Sequence, residues 1–566
     1  MLDKINNKKT EILEILTIAS YIVSIFIYEI FICNGETNGT YNFSPCRIAI
    51  YIVFICLLIK YLNKFIIVAL ETFKNKNKKV VFAIYILLSL LMMIYVLIKW
   101  TSIYRIAMLL ISLLMGALFI VYVSANCIKN VIITICTFGI IFTVTTNINH
   151  GLDEKKHAMS AVNLAFGNFE YAKNPLNEPA FNNIIFNCKL SQFIKFFSQR
   201  YEPALTEEWG TTKDNELYYT SSTPADYNFI LYIPSAMGMR LATMFGGSIA
   251  DVYLVGRLFN LIAYGILIII TLKILPNKQK IFSMVYLLPI SLVLSASYSI
   301  DGLCIGFIGI FIAYCLKLSQ NYEKVKIKQI FILLGLFAMC LLAKNLAYFA
   351  VVVFVLTLPI IKILKNNKEK LPIIIAVLVG LAVICGGLLI YKLNTTVVNG
   401  EADIRGGNTN GKAQIEFLIN NPLNIIKVFF NHIMNSVLNF HWYAQLNQDM
   451  FFGKYYEQIF FIQLIFILYV AITDNSKQCD FRIKISSILT FLAVFISTSL
   501  MLYINFTPVG DIGINGYQTR YILPILPILL MLINKKSYKY ENNDISIYGG
   551  LGFLILIDII CAVYII

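Results

Sequence analysis

The sequence predicts an all-α polytopic membrane protein, and three observations lead to that class. Of the 566 residues, 58% are hydrophobic and only 14% are charged, and the mean hydropathy is +0.74. Apolar runs of about 17 to 25 residues, long enough to cross the hydrocarbon of a bilayer as helices, recur along the chain. Lysines and arginines fall in short clusters between these runs. A water-soluble domain needs a more polar surface than this composition provides.

The apolar runs predict about fifteen transmembrane helices. They lie at roughly 12–32, 48–70, 80–98, 103–123, 130–148, 252–272, 281–298, 302–318, 329–343, 346–364, 371–391, 457–473, 485–504, 520–534 and 547–566. When the spans alternate in direction, the lysine-rich connections share one face, which the positive-inside rule makes cytoplasmic. We therefore expect a multi-pass protein of the cell membrane with a cytoplasmic N-terminus. Because the basic residues are dispersed, the net charge of +15 does not indicate a nucleic-acid partner.

The spans divide the chain into three predicted regions. Residues 1–129 form a four-helix membrane extension, residues 130–535 form the core, and residues 536–566 contain a cytoplasmic loop and the last span. The core has two long outer loops, at 149–228 and 393–456, and loops of that length usually have a function or are disordered. The apolar segment 229–245 is predicted to be an interfacial or re-entrant helix, because counting it as a span would place every later basic loop outside.

The first candidate site residues follow the fifth span, where Asp153, Glu154 and His157 lie within five positions. Paired carboxylates at a membrane surface can act as a general base, orient an acceptor hydroxyl or bind a divalent cation. The alternative is a helix N-terminus, with Asp153 as the cap and Glu154 favoured by the helix dipole. The sequence fixes no cofactor, although this set of side chains can hold a divalent cation.

Two further charged residues lie near the outer ends of spans. Arg257 is about five residues into its span, where it needs an acidic partner such as Asp251 or Asp301, or must reach the interface. Asp301 lies at the turn between two spans. It is either the cap of the next helix or a second carboxylate at the same site.

A glycine-containing stretch near the C-terminus precedes Gln518, Arg520 and Tyr521 at the start of a predicted span. An arginine at headgroup depth can hold a phosphate through two hydrogen bonds, whereas arginine and tyrosine also occur there simply as interfacial anchors. The predicted topology brings the charged candidates to the outer ends of their spans, which predicts one composite site of Asp153, Glu154, Arg257, Asp301 and Arg520.

Six motifs carry a family resemblance: Asp153-Glu154-Lys-Lys-His157, Tyr232-Ile-Pro234, Gly256-Arg257-Leu258, Ser299-Ile-Asp301, Asn421-Pro422, and Gly516-Tyr-Gln518-Thr-Arg520-Tyr521 before Leu523-Pro524. At these motifs the chain resembles a bacterial membrane-protein family catalogued as domain of unknown function 2142. The match runs from about residue 140 to 535 and largely leaves out the first four spans. That family is similar to the multi-spanning glycosyltransferases of the C superfamily, so the resemblance implies a GT-C-like fold.

The resemblance also implies an activity and a set of roles. It implies transfer of a sugar from a polyprenyl-phosphate donor to a cell-envelope glycan or protein on the outer face of the bilayer. Asp153 would be the base or the acid that orients the acceptor, with Glu154 and His157 beside it, and Arg520 would contact the lipid phosphate. We expect Asp301 to act with the catalytic acids, and Arg257, Gln518 and Tyr521 to contact substrate. Two departures from the family pattern are Thr519, where a glycine is usual, and Lys155-Lys156, where Pro-Ala is common.

Two other classes of function remain open. A lipid-linked glycan flippase or other transporter also has many spans, but such proteins usually place ionisable residues and broken helices near the bilayer midplane, often in paired halves. This chain shows no evident internal repeat and gathers its polar candidates at one face, which favours an enzyme. A non-catalytic subunit for envelope assembly is the third alternative.

Overall fold

The computed structural model describes residues 2–27, 45–74, 76–99, 103–124, 126–145, 153–165, 167, 227–245, 249–346, 348–359, 409–436, 438–439, 457–474, 476–533, 549–552 and 554–555. Every regular element among these residues is a helix, which confirms the all-α class. The predicted span 371–391 and most of the two long outer loops lie outside the described residues, as do parts of the predicted spans 346–364 and 547–566.

The described part of the first half of the chain contains long apolar helices and several shorter ones, and one helix is interrupted by a π-helical turn. The helices are α1 (Leu2–Ile27), α2 (Pro45–Phe73), α3 (Lys76–Lys99), α4 (Ile103–Tyr122), α5 (Cys127–Thr134), α6 (Ile140–Thr145), α7 (Glu154–Ala165), α8 (Ile233–Met244) and α9 (Ile249–Ile274). A π-helix, Ile135–Gly139, joins α5 to α6, and a 3₁₀ turn, Phe229–Tyr232, precedes α8. The side chain of Asn126 caps α5 by accepting hydrogen bonds from the backbone N–H groups of Ile128 and Lys129.

The second half continues with α10 (Gln279–Tyr286), α11 (Pro289–Ser295), α12 (Asp301–Gln320), α13 (Ile327–Leu342), α14 (Gly411–Asn420), α15 (Pro422–Asn435), α16 (Glu457–Thr473), α17 (Phe481–Phe506) and α18 (Leu526–Leu530). Short 3₁₀ helices occur at Tyr322–Lys324, Ala343–Leu346, Phe349–Thr357 and Thr519–Ile522. Proline occupies the first turn of α8, α11, α15 and α18, where its missing N–H costs no hydrogen bond.

Four helical segments in the described part of the chain are long and apolar enough to cross a membrane: Cys127–Val144, Asp251–Ile274, Asp301–Gln320 and Phe481–Phe506. On α9, Ile262, Ile266 and Ile270 are exposed at intervals of four residues and so form one apolar stripe. In a bilayer this stripe faces hydrocarbon. The total of fifteen spans and the orientation of the chain relative to the two sides of the membrane remain predictions.

Two apolar segments do not form continuous membrane-spanning helices. The predicted span 281–298 is interrupted, because α10 ends at Tyr286 and α11 begins only at Pro289, a residue that cannot continue the helix hydrogen-bonding of α10. All side chains between Ile281 and Ile300 are buried. Helix α8 has 12 residues, which is about 18 Å at the usual helical rise. That is too short to cross the roughly 30 Å hydrocarbon layer, in agreement with a non-spanning element.

Close backbone contact holds α8, α9 and α12 together. A Cβ atom at Gly238 would lie 2.5 Å from the carbonyl oxygen of Val255, and one at Gly306 would lie 2.6 Å from Cβ of Leu267. Small residues allow membrane helices to approach closely enough for continuous packing. Through these contacts α9 becomes the central helix, with Asp251 and Arg257 near one end and Lys273 near the other.

Beyond the basic end of α9, a buried ion pair joins two connections. Nζ of Lys278 lies 2.9 Å from Oδ2 of Asp474, and the two side chains are 0% and 4% exposed. Ser476 donates its hydroxyl to the same carboxylate. This pair fixes the end of the molecule opposite to the residues described next.

Candidate functional site

Glu154 and Arg257 form a completely buried ion pair between α7 and α9, here called the Glu154–Arg257 pair. Nε of Arg257 donates to Oε1 at 2.9 Å, and Nη2 donates to Oε2 at 2.8 Å. Nη1 donates to the carbonyl of Thr143 at 3.3 Å, and the backbone N–H of Tyr298 donates to Oε1 at 3.1 Å. Both side chains are 0% exposed. Since both carboxylate oxygens are engaged, Glu154 is suited to fixing two helices against each other.

Helix α9 also holds the turn that precedes α12. Asn260, one helical turn beyond Arg257, donates through Nδ2 to the carbonyls of Ser297 and Ser299 at 2.7 and 3.1 Å. The hydroxyl of Tyr298 donates to the carbonyl of Tyr253 at 2.7 Å. These bonds fix the turn before α12 and therefore the position of Asp301, the first residue of that helix.

Asp301 contacts two cations, and these three residues are here called the Asp301 cluster. Nζ of Lys344 lies 2.6 Å from Oδ1, and Nε of Arg520 lies 3.3 Å from Oδ2. The side chains are 8%, 11% and 5% exposed for Asp301, Lys344 and Arg520. Lys344 and Arg520 thus share the single carboxylate of Asp301.

Aromatic residues lie beside the cluster, at Lys344 and next to Arg520 in the chain. Nζ of Lys344 lies 4.0 Å from the ring centre of Tyr521, within the range of a cation–π interaction. The hydroxyl of Tyr348 donates to the carbonyl of Tyr521 at 3.1 Å. Lys344 has a φ of 45°, a left-handed conformation that is unfavourable for a non-glycine residue and is concentrated at functional sites.

His157 lies one turn into α7, beside both charged groups. Its Nδ1 is 2.7 Å from the hydroxyl oxygen of Tyr232, and its ring packs near that of Tyr227. Burial lowers the pKa of His157 to about 4, a shift that nearby Asp301 and Asp153 oppose and that Lys344 and Arg520 reinforce. The imidazole is therefore neutral at pH 7 and can accept or donate a hydrogen bond without adding charge.

Asp153 takes the N-cap position of α7, since its carbonyl accepts the backbone N–H of His157 at 3.1 Å. Its φ is 60°, a conformation that aspartate and asparagine adopt more readily than most residues. The side chain is half-buried and interacts electrostatically with His157. Asp153 thus lies at the edge of the Asp301 cluster, with a carboxylate that is less enclosed than that of Glu154.

The structure brings the predicted site residues to one end of the helix bundle, but in different pairs from those expected. Arg257 pairs with Glu154, whereas Asp251 and Asp301 were the predicted partners; Asp251 instead contacts Arg47. Asp301 and Arg520, which no sequence spacing connects, are in direct contact. Gln518 is half-buried, and its Oε1 has no hydrogen-bond partner among the described residues.

The C-terminal family motif, Gly516 to Tyr521, is 3₁₀-helical around Arg520. Thr519, Arg520 and Tyr521 lie in a 3₁₀ helix in which Thr519 and Arg520 are buried. Thr519 is not among the described non-glycine residues with positive φ, which are Asp153, Lys278 and Lys344. The backbone at this position therefore does not require the glycine that is usual in the family pattern.

Sequence reasoning missed Lys344, the closest cation to Asp301, and assigned no role to Tyr232. A signal for Lys344 was present, because it is a basic residue at a predicted short outer connection, a place where such residues are otherwise nearly absent. The partner of His157 had no comparable signal. Tyr232 is 75 positions further along the chain, and only the packing of α7 against the turn before α8 brings them together.

Within the described residues, no group of three or more His, Cys, Asp or Glu side chains could hold a metal ion. The Asp153, Glu154 and His157 set predicted as a candidate for a divalent cation is divided, because Glu154 contacts Arg257 while His157 contacts Tyr232. The chemistry available at this end is that of anion binding by Lys344 and Arg520, with a neutral imidazole and a half-buried carboxylate nearby.

Comparison with known proteins agrees with the motifs. No curated protein and no solved structure matches the chain. A family model described as a predicted membrane protein, DUF2142, matches residues 136–529, a range that contains both the Glu154–Arg257 pair and the Asp301 cluster. The chain belongs to the DUF2142 family of predicted membrane proteins.

Proposed function

We propose that this protein is a membrane glycosyltransferase that moves a sugar from a polyprenyl-phosphate donor to a cell-envelope acceptor on the outer face of the bilayer. The observation that supports it most is the meeting of two largely buried cations, Lys344 and Arg520, at Asp301 at the end of an apolar helix bundle. A lipid-linked phosphate combines the two properties that such a place recognises, because its chain favours hydrocarbon and its headgroup favours buried cations.

In the proposed reaction an acceptor hydroxyl oxygen bonds to the anomeric carbon of the sugar as the bond from that carbon to the phosphate oxygen breaks. The phosphate leaves with the electron pair of that bond, and Lys344 and Arg520 stabilise its charge. The hydroxyl proton passes to the carboxylate of Asp153, the proposed general base. Asp301 holds the two cations in place, and Gln518 and Tyr521 border the bound substrate.

Glu154 and Arg257 have positioning roles in this proposal. Their mutual bonds and the bond from the Tyr298 N–H to Glu154 fix α7 relative to α9 and to the turn before Asp301. His157, hydrogen-bonded to Tyr232, remains neutral and contributes to the wall beside the acceptor. The fold type is proposed to be GT-C-like, with residues 130–535 as the core and residues 1–129 as an added helical extension.

The test is a stability and transfer assay on the detergent-purified protein with a panel of polyprenyl-phosphate sugars. A ligand that binds only the folded protein raises its melting temperature. We expect one donor to stabilise the wild type, and Lys344→Ala and Arg520→Ala to lose that stabilisation. Lys477→Ala is the matched control, since Lys477 is exposed and lies near the Lys278–Asp474 pair at the opposite end.

The base is tested separately with Asp153→Asn. Asparagine tolerates the left-handed backbone at this position, so we expect the variant to keep donor-induced stabilisation and to lose transfer. Transfer at the wild-type rate would remove Asp153 from the mechanism. A donor panel that stabilises another polyprenyl-phosphate enzyme and leaves this protein unchanged would contradict the proposal as a whole.

One observation favours a second candidate, a lipid-linked glycan flippase. The interruption between α10 and α11 lies in a completely buried segment, and broken helices line the substrate sites of many transporters. Proteoliposomes containing a fluorescent lipid-linked sugar distinguish the two activities, because a flippase changes the leaflet of the lipid without transferring the sugar. A protein that does neither, and whose function in cells survives loss of Asp153 and Asp301, would be a non-catalytic assembly subunit.

A further inference from the structure

A cavity separates the N-terminal helices from the core, on the side of α9 away from the Asp301 cluster. Its volume is about 190 Å³, and its walls come from α1, α2, α4, the helix that contains the π-turn, and α9. Tyr21, Phe54, Met115, Ile141 and Leu258 are typical of the lining, which is almost entirely apolar. An apolar cavity of about 150 Å³ can remain free of water and bind small hydrocarbons, so this space suits a hydrocarbon chain.

An ion pair in this lining joins Arg47 and Asp251. Nη1 of Arg47 lies 3.3 Å from Oδ1 of Asp251, and the two side chains are 6% and 1% exposed. Arg47 is the third residue of α2 and Asp251 the third residue of α9. Both charges therefore lie at helix ends, where a spanning helix reaches the headgroup layer, while the apolar lining extends from there along the helices.

The helix that forms one wall is irregular at the cavity. The π-helix Ile135–Gly139 contributes Cys136 and Thr137 to the lining. A π-turn widens a helix locally and is frequent at functional sites. The π-helix is an observation independent of the Arg47–Asp251 ion pair. Its residues are not among those of the candidate site described above.

The cavity and the candidate site lie on different faces of α9. Asp251, Leu254, Val255 and Leu258 face the cavity, whereas Arg257 points to Glu154. Thr143 lines the cavity, and its carbonyl accepts a hydrogen bond from Arg257 on the other side. Arg257 therefore connects a residue of the cavity wall, Thr143, to Glu154 of the candidate site.

We propose that this cavity binds one acyl chain of a zwitterionic bilayer phospholipid, phosphatidylethanolamine, whose headgroup lies against the Arg47–Asp251 pair. The phosphate faces the guanidinium of Arg47, since arginine recognises phosphate through paired hydrogen bonds. The primary ammonium faces the carboxylate of Asp251. A pair of opposite charges matches a zwitterion better than a headgroup with a net negative charge.

This lipid would join the N-terminal extension to the core. The family model begins at residue 136, so α1, α2 and α4 lie outside it, and their side of the cavity is specific to the extension. A bound chain would fill the space between the two parts and bring apolar atoms into contact with both walls.

The experiment is native mass spectrometry of the full chain, released from nanodiscs that contain equal amounts of phosphatidylethanolamine and phosphatidylglycerol. We expect one retained phosphatidylethanolamine per protein. Leu258→Trp fills the cavity and should lower the retained lipid about tenfold. Ile266→Trp is the matched control, because Ile266 is on the same helix with its side chain 53% exposed, and it should retain the lipid.

Asp251→Asn tests the headgroup without filling the cavity. Removal of the carboxylate takes away the group proposed to hold the ammonium and keeps the guanidinium of Arg47, so the variant should lose its preference for phosphatidylethanolamine over phosphatidylglycerol. Equal retention of lipid by wild type and Leu258→Trp would overturn the site. Preferential retention of phosphatidylglycerol by the wild type would overturn the assigned headgroup. The melting temperature of each variant shows whether a lost lipid reflects a lost fold.

Discussion

The Glu154–Arg257 pair and the Asp301 cluster contain the same kinds of charged group at the same end of the bundle, but they differ in how completely they are enclosed. Glu154 and Arg257 are 0% exposed, and hydrogen bonds to Thr143 and Tyr298 add to the two between them. The Asp301 cluster has side chains that are 5% to 11% exposed, and its two cations share one carboxylate. The first arrangement is balanced within the protein, whereas the second is suited to an additional anion.

This difference separates structural charge from ligand-binding charge. Removing one member of a buried ion pair leaves an uncompensated charge and is strongly destabilising, although the intact pair need not add stability. In a cluster where two cations share one carboxylate, loss of one cation leaves the carboxylate paired with the other, so it should weaken an anion site more than it weakens the fold. The following predictions test this distinction, from the largest expected effect to the smallest.

The largest effect is expected for Arg257→Met, which leaves the carboxylate of Glu154 buried without its cation. We expect the free energy of unfolding to fall by about 3 to 5 kcal/mol, measured by denaturant titration in detergent micelles. The double variant with Glu154→Gln and Arg257→Met removes both charges and should recover a large part of the loss. A loss below about 1 kcal/mol in the single variant would contradict a structural role for the pair.

The next effect concerns ligand binding at the Asp301 cluster. Replacing Lys344 or Arg520 by methionine should weaken binding of a polyprenyl-phosphate sugar by about 10- to 100-fold, the size of one or two lost charge-assisted hydrogen bonds. Isothermal titration gives the affinity, and the melting temperature without ligand should change less than in Arg257→Met. If Lys344→Met and Arg257→Met destabilise equally and donor affinity is unchanged, the cluster is structural as well.

A pH effect is expected from His157, whose pKa burial lowers from 6.5 to about 4. Below pH 6.5 the unfolded chain binds a proton that the folded protein does not, so stability should decrease as the pH falls from 6.5 towards 4, by up to about 1.4 kcal/mol per pH unit. His432 also has a pKa of about 4 and adds a similar slope. Thermal unfolding at pH 7 and pH 5 should show a smaller decrease in His157→Gln, with His432→Gln as the comparison.

The smallest effect is expected for Tyr232→Phe, which removes the hydroxyl that contacts Nδ1 of His157 at 2.7 Å. The loss of one buried hydrogen bond between neutral groups should cost about 1 kcal/mol of unfolding free energy. Tyr227→Phe is the comparison, because Tyr227 contacts the same imidazole through its ring. Identical stabilities of wild type and Tyr232→Phe would argue against a contribution of this hydrogen bond.

Much of the fold and part of the site could be predicted from the sequence. The helical spans follow from local apolar composition, and α7, the turn at Asp301 and the short segment 229–245 each have a local signature. The pairing of charges did not follow, because Arg257 had three acids at the same predicted depth, and spacing alone cannot choose among Asp251, Glu154 and Asp301. The interruption before Pro289 was also missed, since a continuous apolar run resembles an unbroken span.

The sequence by itself determined that the protein is α-helical, that it belongs in a membrane, and which end of its helices gathers the acids and arginines. These properties depend on composition and on residues close together in the chain. Only the tertiary structure decided that Glu154 joins Arg257, that Lys344 and Arg520 share Asp301, and that His157 meets Tyr232. Those contacts join residues 43 to 219 positions apart, and their geometry depends on how α7, α9 and α12 pack, which no local pattern specifies.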